Sequence, residues 1–158
     1  MRQEEIIVTC KEQLSCKQWQ GPAPYEYFQY RAMQGGEGNA CQVALYEIPP
    51  QKANYPYHYH TNSTEVFYII RGSGMLKTPD GDKIIRAGDV IVCPPTEKAA
   101  HKIINDSETE TLLYLDVDTK SGTDVAFYPD SGKVGVLVEG RRGKFYKENE
   151  DVPYYEGE

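Results

Sequence analysis

Apolar and polar residues alternate in short runs along this chain, and turn-forming clusters close almost every run. A period of two places successive side chains on opposite faces of an extended backbone, so each run predicts a strand with one face buried. The pattern predicts strands over residues 25–33, 42–48, 55–60, 65–71, 75–78, 83–86, 90–93, 99–105 and 109–117. The turn signals between them include Gly35 to Asn39, Pro49-Pro50, Gly72 with Gly74, Ala87-Gly88-Asp89 and Pro94-Pro95. Pro79-Asp80-Gly81-Asp82 is a strong hairpin signal, because proline presets φ and glycine accepts a positive φ. Helical periodicity is nearly absent, so an all-β sandwich or barrel is expected.

Beyond Asp118 the runs become shorter, with strands predicted over residues 125–128, 134–138 and 144–146. Residues 148–158 are acidic and carry Tyr154-Tyr155, which suits an arm that is loose or docks on a neighbouring subunit. There is no internal repeat, and 158 residues suffice for one domain with its own core. The expected partition is a single domain over 1–158, with a barrel core over about 40–118 and a C-terminal extension over about 119–158.

Composition narrows the function. Hydrophobic residues at 39% and charged residues at 26% predict a packed globule rather than a disordered chain. A net charge of −7 argues against nucleic acid or an anionic membrane as the partner. No apolar run reaches membrane-span length, and the opening MRQEEIIVTCKEQ has no apolar signal core, so a cytoplasmic location is expected. Cys10, Cys16, Cys41 and Cys93 form no Cys-x-x-Cys pair and are expected to be reduced and structural. Cys93 ends an apolar run close to one of the candidate site residues, His101.

The candidate chemistry lies in the histidines, of which the chain has three. His58 and His60 are two apart, so on a strand they point to one face, and Glu65 follows on the next predicted strand. His101 sits in the run over 99–105, sharing its parity with Ile103 and Asn105. Two imidazoles and a carboxylate that converge can hold manganese, iron, nickel, zinc or cobalt. Phe67 and Ile69 share the parity of Glu65, so together with Ile103 they are expected to line the pocket beside the ion. Tyr55, Tyr57 and Tyr59 have the opposite parity to the histidines and are expected to pack against a second sheet or a partner subunit.

These residues resemble the two motifs of the cupin superfamily. The first motif is glycine, five residues, His-x-His, three or four residues, Glu, six residues, Gly; His58, His60, Glu65 and Gly72 fit it, with Lys52 in place of the leading glycine. The second is glycine, five residues, Pro-x-Gly, two residues, His, three residues, Asn. Gly88, Pro94, His101 and Asn105 fit it in type and order, with Thr96 at the middle glycine and two extra residues before His101. The resemblance implies a double-stranded β-helix, a conical jelly-roll barrel, with one divalent metal held by His58, His60, Glu65 and His101, and usually a homodimer. It does not fix one reaction, because the superfamily includes isomerases, dioxygenases, decarboxylases, storage proteins and ligand-binding domains. The leading expectation is a small metal-dependent enzyme acting on a small organic molecule. The layout is similar to bacterial proteins labelled sugar-phosphate isomerases, while an apolar pocket would suit a dioxygenase equally. The alternatives are a non-catalytic ligand-binding barrel and a barrel whose metal is structural.

Overall fold

The computed structural model describes residues 5–35, 38–119 and 122–158, so Gly36 and Glu37 of the expected turn at 35–39 lie outside the described residues. Its strands are β1 (Cys16–Gln20), β2 (Glu26–Met33), β3 (Cys41–Ile48), β4 (Lys52–Ala53), β5 (Tyr59–His60), β6 (Glu65–Arg71) and β7 (Ser73–Lys77). They continue with β8 (Lys83–Arg86), β9 (Val90–Cys93), β10 (Lys102–Asn105), β11 (Leu112–Thr119), β12 (Thr123–Tyr128), β13 (Lys133–Val138) and β14 (Lys144–Lys147). Among the described residues there is no α-helix, only short 3-10 turns at Lys11–Gln13 and Glu97–Ala99. The fold is an all-β double-stranded β-helix.

One sheet has the order β1-β2-β3-β11-β6-β9, a second β4-β10-β7-β8, and a third β14-β13-β12-β5. Strand β11 lies between β3 and β6 rather than beside its chain neighbours, as a jelly roll requires. Its register sets the inward side chains in rows. Ala44, Asp116 and Phe67 form one row, and Tyr46, Tyr114 and Ile69 the next. Ile48 and Leu112 close the far end of the barrel, both wholly buried. Tyr46 and Tyr114 stack with ring centroids 5.3 Å apart, and Phe67 meets Tyr114 edge-on at 5.6 Å. Each buried aromatic contributes on the order of 2 kcal/mol or more through apolar area removed from water.

The motif glycines and asparagine hold turns. At Gly72, φ is +83° and a Cβ would lie 2.8 Å from the carbonyl oxygen of Thr111, so a side chain meets both strain and collision. Asn105 is wholly buried and its amide donates to the Ile48 and Glu110 carbonyls, each at 2.8 Å, while its oxygen accepts from Ser107 N at 3.1 Å. It replaces the backbone partners missing where the chain turns between β10 and β11.

The run at 55–60 is not one strand. Only Tyr59–His60 is assigned to a strand, with His58 in an isolated bridge opposite His101. Alternation therefore fails at Tyr55, whose ring lies 6.1 Å from that of His58 and 4.9 Å from Tyr27. Tyr57 is buried under the Lys77 ammonium, 4.4 Å from the ring centroid, and Tyr59 stacks on Phe127 of β12 at 5.2 Å. Strand β1 has no run in the expected pattern, since all five of its residues are exposed. The segment after Thr119 supplies β12, β13 and β14, and β12 pairs with β5, placing Ala126 opposite His60. Residues 148–158 form no strand and are exposed.

Candidate metal centre

His58, His60 and Glu65 are brought together. Their nearest ligand atoms all lie within 4.8 Å of one another, and all three residues are buried. His101 joins them from the other sheet, because the His58 amide donates to the His101 carbonyl at 3.1 Å and the His101 amide returns a bond to His58 O at 2.8 Å. This reciprocal bridge sets the two rings 4.8 Å apart. The longer turn before His101 is taken up by the 3-10 turn at Glu97–Ala99, which returns the chain opposite His58.

The imidazole orientations decide the chemistry. Each Nδ1 has an acceptor: Pro56 O for His58 at 2.8 Å, Ala99 O for His101 at 3.0 Å, and the Asp124 carboxylate for His60. Held as Nδ1–H donors, all three rings turn the Nε2 lone pair the other way. Those nitrogens converge on a single oxygen of Glu65, at 3.2 Å for His101, 3.6 Å for His60 and 3.9 Å for His58. Two ligands about 2.1 Å from one ion stand roughly 3.0–3.4 Å apart, so this donor set fits a divalent transition metal with small side-chain adjustments.

Electrostatics agree with that fit. Burial pushes His58 down to about 4, against the pull of Glu65, so its ring is neutral at pH 7. Burial also opposes charge on Glu65, but the hydrogen bond and charge of His101, with His58 and His60, hold it at about 2. His101 is pushed well above the ordinary histidine range: burial acts against this, and the contacts with Cys93 and Glu65 outweigh it. Three buried imidazoles facing one carboxylate keep a proton among them, and a metal replaces it.

Asp124, on β12, belongs to the candidate site and was missed by periodicity. Its Oδ1 accepts from the amides of Asn62 and Val125 at 2.9 Å each and of Thr61 at 3.2 Å, and Oδ2 takes the His60 proton. Nothing in the local pattern marks it, for it lies 64 residues from His60 in the chain.

A cavity of about 340 Å³ opens beside the donors, lined by His58, His60 and Glu65. Its remaining wall includes Gln29, Gln42, Asp118, Tyr55, Tyr128 and Arg31. Phe67, Ile69 and Ile103 stand behind it: Phe67 packs 5.5 Å from the His101 ring, while Ile69 and Ile103 are wholly buried in the core. A larger hollow of about 470 Å³ between β8 and β9 reaches His101 and Cys93 but none of the other donors. Cys93 is buried beside His101, opposite Glu65 across the β6–β9 ladder.

The cupin-domain family model matches residues 44–118, which include all four donors. Those residues form a cupin domain. A structure from Acidithiobacillus ferrooxidans, provisionally named a sugar phosphate isomerase, superposes with a TM-score of 0.76 at 23% identity, covering 93% of this chain and 95% of the other. A cupin-superfamily structure named a sugar phosphate isomerase, from Silicibacter pomeroyi, gives 0.77 at 17% identity, covering 91% and 94%. A Thermotoga maritima protein described as a predicted oxalate decarboxylase gives 0.61 at 22% identity, covering 73% and 100%. At these identities the likeness is one of fold. No curated protein sequence is significantly similar to the chain.

Proposed function

We propose that this cupin is a metal-dependent enzyme acting on a small organic molecule, with His58, His60, Glu65 and His101 as the ligands. The observation that carries the reading is the common aim of three Nε2 lone pairs and one buried carboxylate beside an open cavity. A purely structural metal would be expected to have its remaining side closed by protein, whereas an accessible side suits chemistry. The ion would supply Lewis acidity toward a ligand oxygen. The chain's own groups would orient the ligand: the Tyr128 hydroxyl, pushed up to about 12 by burial and then by Glu65 and Asp124, stays a hydrogen-bond donor at neutral pH. Asp118 is the carboxylate of the wall outside the donor set and is the candidate for moving a proton.

Isomerase chemistry is preferred to oxygenase chemistry because Gln29, Gln42, Arg31 and Asp118 offer polar partners to a hydroxylated ligand beside the rings of Trp19, Tyr27 and Tyr55. Two structural neighbours named sugar phosphate isomerases support the same direction.

The test is accessibility of the ion. Cobalt-loaded protein should change its visible spectrum when oxalate is added, and a His58→Ala, His60→Ala variant should hold almost no cobalt. A spectrum indifferent to every small ligand would assign the barrel a structural metal instead.

A further inference from the structure

We infer that the cavity selects small hydroxylated molecules that carry an anionic group, carboxylate or phosphate, and that Arg31 is the residue that binds this group. The ligand's other end rests on the metal reading above; the anion subsite rests on separate residues.

Arg31 lies near the end of β2, at the register shift against β3, and its side chain lines the same cavity as His58, His60 and Glu65. Its guanidinium is held by neutral partners. Nη2 donates to the Gln29 side-chain oxygen at 2.9 Å and Nη1 donates to that of Gln34. Among the described residues no carboxylate pairs with it, in contrast with Arg71 and Lys11, which reach Glu47, and Lys77, which reaches Asp130. The charge of Arg31 is therefore placed but not neutralised.

The placement comes from inside the barrel. Gln29 is only 4% exposed, and its amide nitrogen donates to the Tyr46 hydroxyl, which lies 2.8 Å from that of Tyr55. The glutamine cannot turn without abandoning this buried network, so its oxygen stays directed at Arg31. With one N–H of each terminal nitrogen engaged, the guanidinium keeps its remaining N–H groups for a planar or tetrahedral oxyanion, the kind of group arginine binds through paired bonds. The net charge of −7 would otherwise repel such a ligand, so a local unpaired cation is needed to admit one.

The rest of the wall suits hydroxyls. Gln42 donates to Asp118 at 3.3 Å, and both line the cavity. Trp19 and Tyr27 stack at 6.2 Å where they border the cavity, a flat apolar surface of the kind that covers the C–H face of a sugar ring.

The experiment is calorimetric titration of metal-loaded protein with glucose, gluconate and glucose 6-phosphate as probes, repeated with Arg31→Gln and Arg31→Lys variants. At least one anion should bind about tenfold or more tightly than glucose, and Arg31→Gln should reduce that anion to the level of glucose. Arg31→Lys should fall between, keeping the charge without the fork. The tighter anion identifies carboxylate or phosphate as the natural group. Glucose binding as well as both anions, anion binding unaffected by Arg31→Gln, or binding of none of the three would overturn the inference. Repeating the titration after metal removal separates the two readings: an anion preference that survives with unchanged affinity supports Arg31 and counts against the metal's part in binding.

Discussion

Replacing Asp124 by asparagine tests whether the imidazoles are oriented for a metal. The substitution preserves shape and removes one acceptor. If the amide oxygen stays toward the Thr61, Asn62 and Val125 amides, the new NH2 group faces His60 Nδ1. His60 must then accept at Nδ1 and carry its proton on Nε2, the atom that faces Glu65. If the amide turns over, its NH2 meets three backbone donors that have lost their acceptor. The first arrangement loses the Nε2 lone pair, and the second keeps it only by leaving three backbone donors without their acceptor. Loss of such a carboxylate partner typically weakens metal binding about 10–100-fold, roughly 1.4–2.7 kcal/mol. Asp124→Asn should fall within that range, because one arrangement reverses the His60 tautomer and the other gives up the backbone hydrogen bonds that fix the carboxamide. The assay is competition for zinc or cobalt against a chromophoric chelator, with circular dichroism to show that the barrel remains folded. A folded Asp124→Asn protein with wild-type affinity would refute the reasoning.

Four further outcomes follow from the structure. Since His101 is held protonated in the metal-free protein and His58 is neutral, loading at pH 7 should release about one proton, seen as a buffer-dependent binding enthalpy. Affinity should rise with pH through neutrality and fall in acid as His58 also takes a proton; retention unchanged down to pH ~4 would contradict this. Gly72→Ala should lower the unfolding free energy measured by urea titration by about 2 kcal/mol or more, whereas Gly81→Ala, at φ +104° with nothing within 4 Å of the new Cβ, should lose only the conformational part; equal losses would contradict the close approach to Thr111. Light scattering should give a homodimer, since Ile84, Val90 and Val92 leave apolar surface exposed on the edge strands β8 and β9, and a monomer at high micromolar concentration would contradict it.

The candidate ligands were legible because metal chemistry restricts residue type and strands restrict parity. His58 and His60 two apart, Glu65 at the start of the next strand and His101 on a third satisfy both restrictions. The wall was not legible, because parity arguments send polar residues outward. In β3, residues 43, 44, 45, 46 and 48 are all apolar, so hydropathy does not choose a face; the register buries Gln42, Ala44, Tyr46 and Ile48. The inward Gln29, Gln42 and Asp118 thus bring polar groups into a cavity that also carries Trp19, Tyr27, Tyr55 and Leu137, where Phe67, Ile69 and Ile103 suggested a purely apolar floor. Tyr55 escaped for a different reason: the strand period was extended over a segment whose first part is irregular. Asp124 escaped because its partner is set by pairing between β5 and β12, a long-range contact that no local pattern encodes.

The most direct measurement is an anomalous difference map from crystals of protein purified without chelating resin, recorded at the absorption edge of the metal found by elemental analysis. A single peak per chain is expected about 2.0–2.2 Å from Nε2 of His58, His60 and His101 and from an oxygen of Glu65, with at least one coordination position open to the cavity that Arg31 lines. A peak elsewhere, no peak, or an ion whose every position is closed by protein would contradict an open metal centre at these four residues.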